Sequence, residues 1–202
     1  MQTIENKVVS RIYGNGRGRA FSKNDFSDLG SADAIDQALS RLVKKKSIRR
    51  VMRGIYDYPK FSKLLKKEIP ADIDQIAQAL ARKFGWSIQV SGNTALNLLG
   101  LSTQMPGKYL YLSDGKTIDY QIGKQELSFK KTTLKDIGLK YAESELLVQA
   151  IKALDKKQLN EKERQLIRDY FDVQMQKLIL KDTRFITSWV YEEIKTIFRD
   201  ES

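Results

Sequence analysis

The chain contains no cysteine and no histidine in 202 residues. Without cysteine there is no disulfide scaffold, no thiolate zinc site and no sulfur nucleophile. Without histidine, Ser–His–Asp chemistry, imidazole-bound metal and the commonest general base are excluded too. Proline occurs only three times, and acids are in deficit: 25 Asp and Glu against 36 Lys and Arg leave a formal charge of +11. No apolar run approaches the roughly 18 residues of a membrane span. The opening Met1-Gln-Thr-Ile-Glu lacks the basic-then-apolar pattern of a secretory signal. These absences set the expectation of a cytoplasmic chain that is no enzyme, touches no membrane and needs no cofactor or metal. What is present is a globular composition, 41% hydrophobic and 30% charged, with a length that suits two domains.

The positive charge is concentrated at one end. Residues 1–60 hold 13 Lys and Arg against 6 Asp and Glu, a net of +7, whereas residues 61–202 hold 23 against 19, a net of +4. The densest stretch is Arg41, Lys44, Lys45, Lys46, Arg49, Arg50 and Arg53, with no acid among them. An ordinary solvated helix face mixes signs. A one-sign cluster calls for a polyanion, most often nucleic acid.

The pattern of the first sixty residues gives that cluster a setting. Ile4, Val8, Val9 and Ile12 recur at helical spacing up to Gly14. Gly14-Asn-Gly-Arg-Gly18 follows a helix rather than a strand, so it reads as a flexible turn and not a phosphate loop. Ser22 to Leu29 predicts a second short helix, capped by Ser22 with Asp25 three residues on and broken by Gly30. Ser31 caps a third, striped by Ile35, Ala38, Leu39, Leu42 and Val43. Ile48–Val51 and Ile55–Tyr58 read as paired strands around Arg53-Gly54, and Pro59 closes the unit. Helix, turn, helix and basic hairpin is the layout of a winged helix-turn-helix, whose second helix of the motif enters the major groove. On that layout Ser31, Gln37 and Arg41 face the groove, and Arg17, Arg19, Lys44, Lys45, Arg50 and Arg53 meet phosphates. Arg49 completes the DNA-binding set.

The remainder is mixed. Residues 63–71, with Leu64 to Pro70 at their centre, read as a linker between a winged-helix domain (1–62) and a second domain (72–202). Asp72–Phe84 predicts a helix, Ser87–Val90 a strand, and Ser91–Leu99 a helix ended by Gly100. Tyr109–Leu112, Thr117–Ile122 and Glu126–Lys131 read as strands. Three helical stripes follow: Leu146–Leu154, a helix capped by Asn160 and Glu163 and running through Phe171 to Leu178, and Phe185–Ile197. The expected fold is therefore α+β: a winged helix followed by a mixed α/β domain with a helical end.

Several residues could suggest chemistry. Asp72-Ile-Asp74 has the spacing of magnesium-binding carboxylates, but it follows Pro70 at a helix start, where Asp meets the helix dipole. Asp114, Asp119 and Glu126 lack the lysine two residues after the Glu that a nuclease site requires, and Asp114 beside Gly115 suits a turn. Trp189 sits at core spacing, and Ser91-Gly-Asn93 reads as a cap.

The run Asp28-Leu-Gly-Ser-Ala-Asp-Ala-Ile-Asp-Gln-Ala-Leu-Ser-Arg-Leu-Val43, with Ile48-Arg-Arg50 and Arg53-Gly-Ile-Tyr-Asp-Tyr-Pro59, resembles the N-terminal winged helix of AbiE-type (AbiEi-like) antitoxins. The likeness continues through Ile76–Arg82, Ser91-Gly-Asn93, Asn97–Pro106, Tyr111–Gly115 and Ile122-Gly-Lys124, and fades after Leu147. Lys46 departs from it, standing where such sequences carry a helix-ending Gly. Either the helix runs on into Lys46, or Lys46 accepts a left-handed backbone. The resemblance implies a bacterial abortive-infection antitoxin that represses its own operon and neutralises a nucleotidyltransferase-like toxin through its C-terminal domain. Its partners would be operator duplex and the cognate toxin, with a monomer in solution and cooperative pairing on DNA both open. The alternative is a winged-helix transcription factor with a ligand-sensing or dimerisation domain. A nucleic-acid-modifying enzyme is disfavoured by the missing His, Cys and metal cluster.

Overall fold

The computed structural model describes residues 3–102, 107–132, 139–155 and 159–198. Thr103–Pro106, the end of the Asn97–Pro106 run, and Met1-Gln2 lie outside the described residues. Helix α1 (Ile4–Gly14) begins where the Thr3 hydroxyl accepts from the Asn6 N–H. Strand β1 (Ala20–Phe21) leads into a single 3-10 turn, Lys23–Phe26. The expected second α-helix is thus only one turn long. Ser22 and Asp25 do form the reciprocal capping box, but the few residues left before Gly30 have room for little more than that turn.

Helix α2 (Ala32–Lys44) is capped by Ser31, whose Oγ accepts from Ala34 N–H at 3.3 Å. Ile35, Ala38, Leu39 and Leu42 fall on its buried side. The helix stops at Lys44, and Lys46 takes the left-handed backbone, φ +55°. Lys46 N–H bonds the Val43 carbonyl at 2.9 Å and Ser47 N–H the Leu42 carbonyl at 3.0 Å, which is the Schellman pairing. A side chain in that conformation costs about 1–2 kcal/mol.

Strands β2 (Arg49–Met52) and β3 (Ile55–Asp57) form an antiparallel hairpin, and β1 pairs with the other edge of β3. Gly54 at the tip has φ +76°, a conformation glycine adopts without a Cβ penalty. Val8, Ile12, Phe21, Phe26, Leu39 and Ile48 meet in one core, each large side chain contributing roughly 1.5–3 kcal/mol by burial.

The expected linker is structured. Strands β4 (Phe61–Ser62) and β5 (Lys67–Glu68) pair antiparallel. Helix α3 (Ile73–Phe84), capped by Asp72 and ended by left-handed Gly85, belongs with the N-terminal elements rather than opening a second domain. Its Arg82 donates to Asp25 at 2.6 Å and to the Ala20 carbonyl at 2.9 Å. The compact units divide at other positions than the expected 62 and 72. One unit comprises Met1–Ser87 with Tyr120–Leu127, and the other Ile88–Asp119 with Ser128–Ser202.

In the second unit, strand β6 (Ile88–Val90) pairs antiparallel with β7 (Lys108–Ser113). Strands β8 (Ile118–Ile122) and β9 (Gln125–Lys131), whose joined ends Tyr120–Leu127 are grouped with the first unit, follow in a sheet of order β6-β7-β9-β8. Helix α4 (Gly92–Leu98) is tied to β7 by Thr94, whose Oγ1 accepts from the Leu110 N–H at 2.8 Å. Gly92 lies so close to α5 (Ala142–Ala153) that a Cβ there would stand 2.7 Å from that of Ala153. Asp182 caps α5 from a distance by accepting from the Lys140 and Tyr141 N–H groups.

The long helix expected after Asn160 is two. The capping box of Asn160 and Glu163 starts α6 (Glu161–Tyr170), and Asp172 restarts the chain as α7 (Val173–Asp182) by accepting from the Met175 N–H at 2.7 Å. Helix α8 (Ser188–Ile197) buries Val190, Ile194 and Ile197. Phe185, expected on the same stripe, precedes that helix and is 94% exposed. The protein is α+β, and among the described residues no helix is long and apolar enough to cross a membrane.

Candidate nucleic-acid interface

Burying Ile35, Ala38, Leu39 and Leu42 turns Gln37, Ser40, Arg41 and Lys44 outward from α2. A cleft beside this face is lined by Thr3, Ile4 and Glu5 of the α1 end and by Ala34, Gln37, Ala38 and Arg41 of α2. Glu5 sets its electrostatics. Lys45 Nζ donates to the Glu5 carboxylate at 2.6 Å, and Arg41 stands 3.6 Å from it. The hydrogen bond from Lys45 is the leading reason the Glu5 carboxyl is held below its ordinary value, with Arg41 adding to it. Both bases remain 62% exposed.

The other basic residues divide sharply. Arg49, expected in the DNA-binding set, is engaged within the protein. Its guanidinium forms a two-point pair with Asp57, at 3.0 and 2.6 Å, and donates to the Ile69 carbonyl at 3.1 Å. The Asp57 side chain is only 2% exposed. Asp57 raises the Arg49 guanidinium above its ordinary value, so this arginine neutralises a buried charge. Arg17 is also engaged: it donates to the Pro59 carbonyl at 2.8 Å and lies over the Tyr58 ring. Arg19 makes one long contact, 3.4 Å, to Asn15. The Ser31 hydroxyl is occupied as the α2 cap.

Lys44, Lys46, Arg50 and Arg53 are exposed and carry no ion pair among the described residues. They occupy the end of α2, the turn after it, and the β2–β3 hairpin. The choice between Arg49 and Arg50 is made by an irregularity in the ladder. Met52 opposes Ile55 and Arg50 opposes Tyr56, with a register shift between them, so that Arg49 faces Asp57. An unshifted ladder counted from Met52 and Ile55 would set Arg50 there instead. The bulge therefore leaves Arg50 outward.

Two contributors lie outside the expected set. Lys83, at the end of α3, donates to the Arg53 carbonyl at 3.3 Å and adds a cation beside the hairpin tip. Asn24 in turn donates to the Lys83 carbonyl at 2.9 Å. Their sequence separation of 30 and 59 residues hides both from a local reading.

Two of the carboxylates weighed for catalysis, Asp72 and Asp119, are engaged within the fold. Asp72 caps α3 by accepting from the Asp74 and Gln75 N–H groups. Asp119 accepts from the Ser128 hydroxyl at 2.5 Å and from Lys108 at 3.3 Å, and Ser128 before Lys108 holds its carboxyl below the ordinary value. Among the described residues no group of three or more His, Cys, Asp or Glu is placed to hold a metal ion.

A family model described as a family of unknown function, DUF6088, matches residues 7–179. The chain belongs to that family. The DUF6088 match spans both compact units, from α1 through α7. No curated protein matches the chain.

Proposed function

We propose that residues 3–62 form a winged helix and that the chain is a DNA-binding antitoxin acting in the cytoplasm. It represses its own operon and neutralises a nucleotidyltransferase-like toxin. The observation that carries the DNA-binding half is the trio Lys44, Arg50 and Arg53, exposed and unpaired among the described residues at the end of α2 and on the β2–β3 hairpin. Those are the two elements a winged helix lays against a duplex. Lys45 joins them on phosphates, exchanging Glu5 for the backbone. Gln37 and Arg41 face the groove, where Arg41 pairs bidentately with guanine. The toxin-neutralising half rests on the sequence resemblance to AbiE-type antitoxins.

The test has two arms. Titration of the full chain against duplex from its own promoter should show log affinity falling against log salt with a slope of roughly −3 to −4, about −0.9 for each of four phosphate contacts. Binding that ignores salt and sequence refutes the DNA reading. Co-expression with the product of the adjacent gene should restore growth that this product alone arrests. A neighbour that is harmless to growth, beside a chain that still binds its promoter, makes the protein an ordinary transcription factor.

A further inference from the structure

The β4–β5 hairpin points apolar side chains at solvent. Leu64 is 90% exposed, Leu65 60% and Phe61 55%. Lys60, Lys63, Lys66 and Lys67 surround them, with Glu68 the one acid in residues 60–69. The tip is ordered by its own bonds: Leu65 N–H donates to Ser62 Oγ at 3.1 Å, and Lys66 closes the loop with φ +49°. The base is fixed as firmly. Ile69 N–H bonds the Lys60 carbonyl at 2.8 Å, and Arg49 at the start of β2 donates to the Ile69 carbonyl and stands 3.6 Å from Glu68. A short ribbon with a leucine pair at its end is thus anchored to the hairpin that bears Arg50 and Arg53.

We propose that this ribbon is a second DNA-contacting element, with Leu64 and Leu65 entering the minor groove between base steps and kinking the duplex. The inference rests on the reading of the first unit as a DNA-binding module and extends it from groove contact to deformation. Charge complementarity selects the occupant. Apolar side chains ringed by cations of one sign match a duplex, which offers apolar base faces between two rows of phosphates. A second copy of the chain would have to bring an acidic face to this ribbon, against a net charge of +11 on each partner.

The test uses the full-length chain, a promoter duplex labelled at both ends for energy transfer, and 2-aminopurine scanned through it. Wild type should bring the ends closer and brighten 2-aminopurine at one step as that base unstacks. The double variant Leu64→Ser with Leu65→Ser removes two exposed side chains and should melt as wild type does. It should bind about tenfold more weakly, lose both optical signals and keep the salt slope, because no phosphate contact is removed. Wild-type binding without a bend, or a double variant that bends DNA undiminished, overturns this inference and leaves the DNA reading standing. Intact bending together with lost affinity for phosphatidylglycerol vesicles or for the toxin overturns it in favour of that occupant. No duplex binding by the wild-type chain at all refutes the parent reading and this one with it.

Discussion

Replacing Arg49 by alanine separates a structural arginine from a DNA-binding one. In the folded chain this guanidinium is the two-point partner of Asp57, whose side chain is 2% exposed. Its removal leaves a buried carboxylate without its counter-charge, which costs about 3–5 kcal/mol when both partners are buried. Arg49 itself is 31% exposed, so water recovers part of the loss and about 3 kcal/mol is expected. For a unit of roughly 100 residues that lowers the melting midpoint by about 10 °C or more. Arg49→Met combined with Asp57→Leu should recover much of the stability, since no buried charge is then left unpaired. Arg50→Ala, one residue away and facing water, should melt at the wild-type temperature and bind promoter duplex more weakly. Thermal melting and duplex titration of the four proteins decide the matter. A wild-type melting temperature for Arg49→Ala, with DNA affinity lost, would refute the reasoning and return Arg49 to the interface.

Three further outcomes follow from named geometry. Lys46→Gly should stabilise the chain by about 0.5–1 kcal/mol in chemical denaturation, the relief of the left-handed side chain being partly offset by glycine's freer unfolded state; destabilisation would contradict the strain. Gly54→Val should lower the melting temperature, because its φ is +76° and a Cβ would lie 2.8 Å from Lys83 Nζ, whereas Arg53→Ala should leave melting unchanged and flatten the salt slope by about one unit. Glu5 is held below its ordinary value of 4.5 by Lys45. Its contribution is therefore in force above that value and lost as pH falls through the folded one. Glu5→Gln should remove this acid-side dependence from the melting profile and tighten DNA binding at neutral pH by freeing Arg41 and Lys45. Unchanged affinity would show that Glu5 does not compete with phosphate.

The parts of this fold written in short-range periodicity were legible in the sequence. The α2 stripe, the Ser31 cap, the Asn160–Glu163 box and the Gly54 turn each depend on residues within a few positions. The parts that depend on register or long-range pairing were not. Counting along the β2–β3 hairpin does not reveal the shift that matches Asp57 with Arg49. The Arg82–Asp25 bond, which brings α3 into the first unit, spans 57 residues. The 63–71 segment reads as a linker because its apolar residues face water, so periodicity carries no burial signal there. The break at Phe171 was readable in principle, since Asp172 is a good cap. The continuous apolar pattern across it masked the restart. At the candidate interface, composition located the basic cluster, while the pairing of Arg41, Lys45 and Arg49 with acids could be seen only in three dimensions.

The discontinuous make-up of the first unit has a consequence for synthesis. Its last eight residues, Tyr120–Leu127, are complete only when forty residues beyond Ser87 have been added. At roughly 5–20 residues per second, the ribosome delivers them about 2–8 s after the rest of that unit. Until then the growing chain already carries every basic residue of the candidate interface, the last of them Lys83, without the Tyr120–Leu127 segment that is grouped with it.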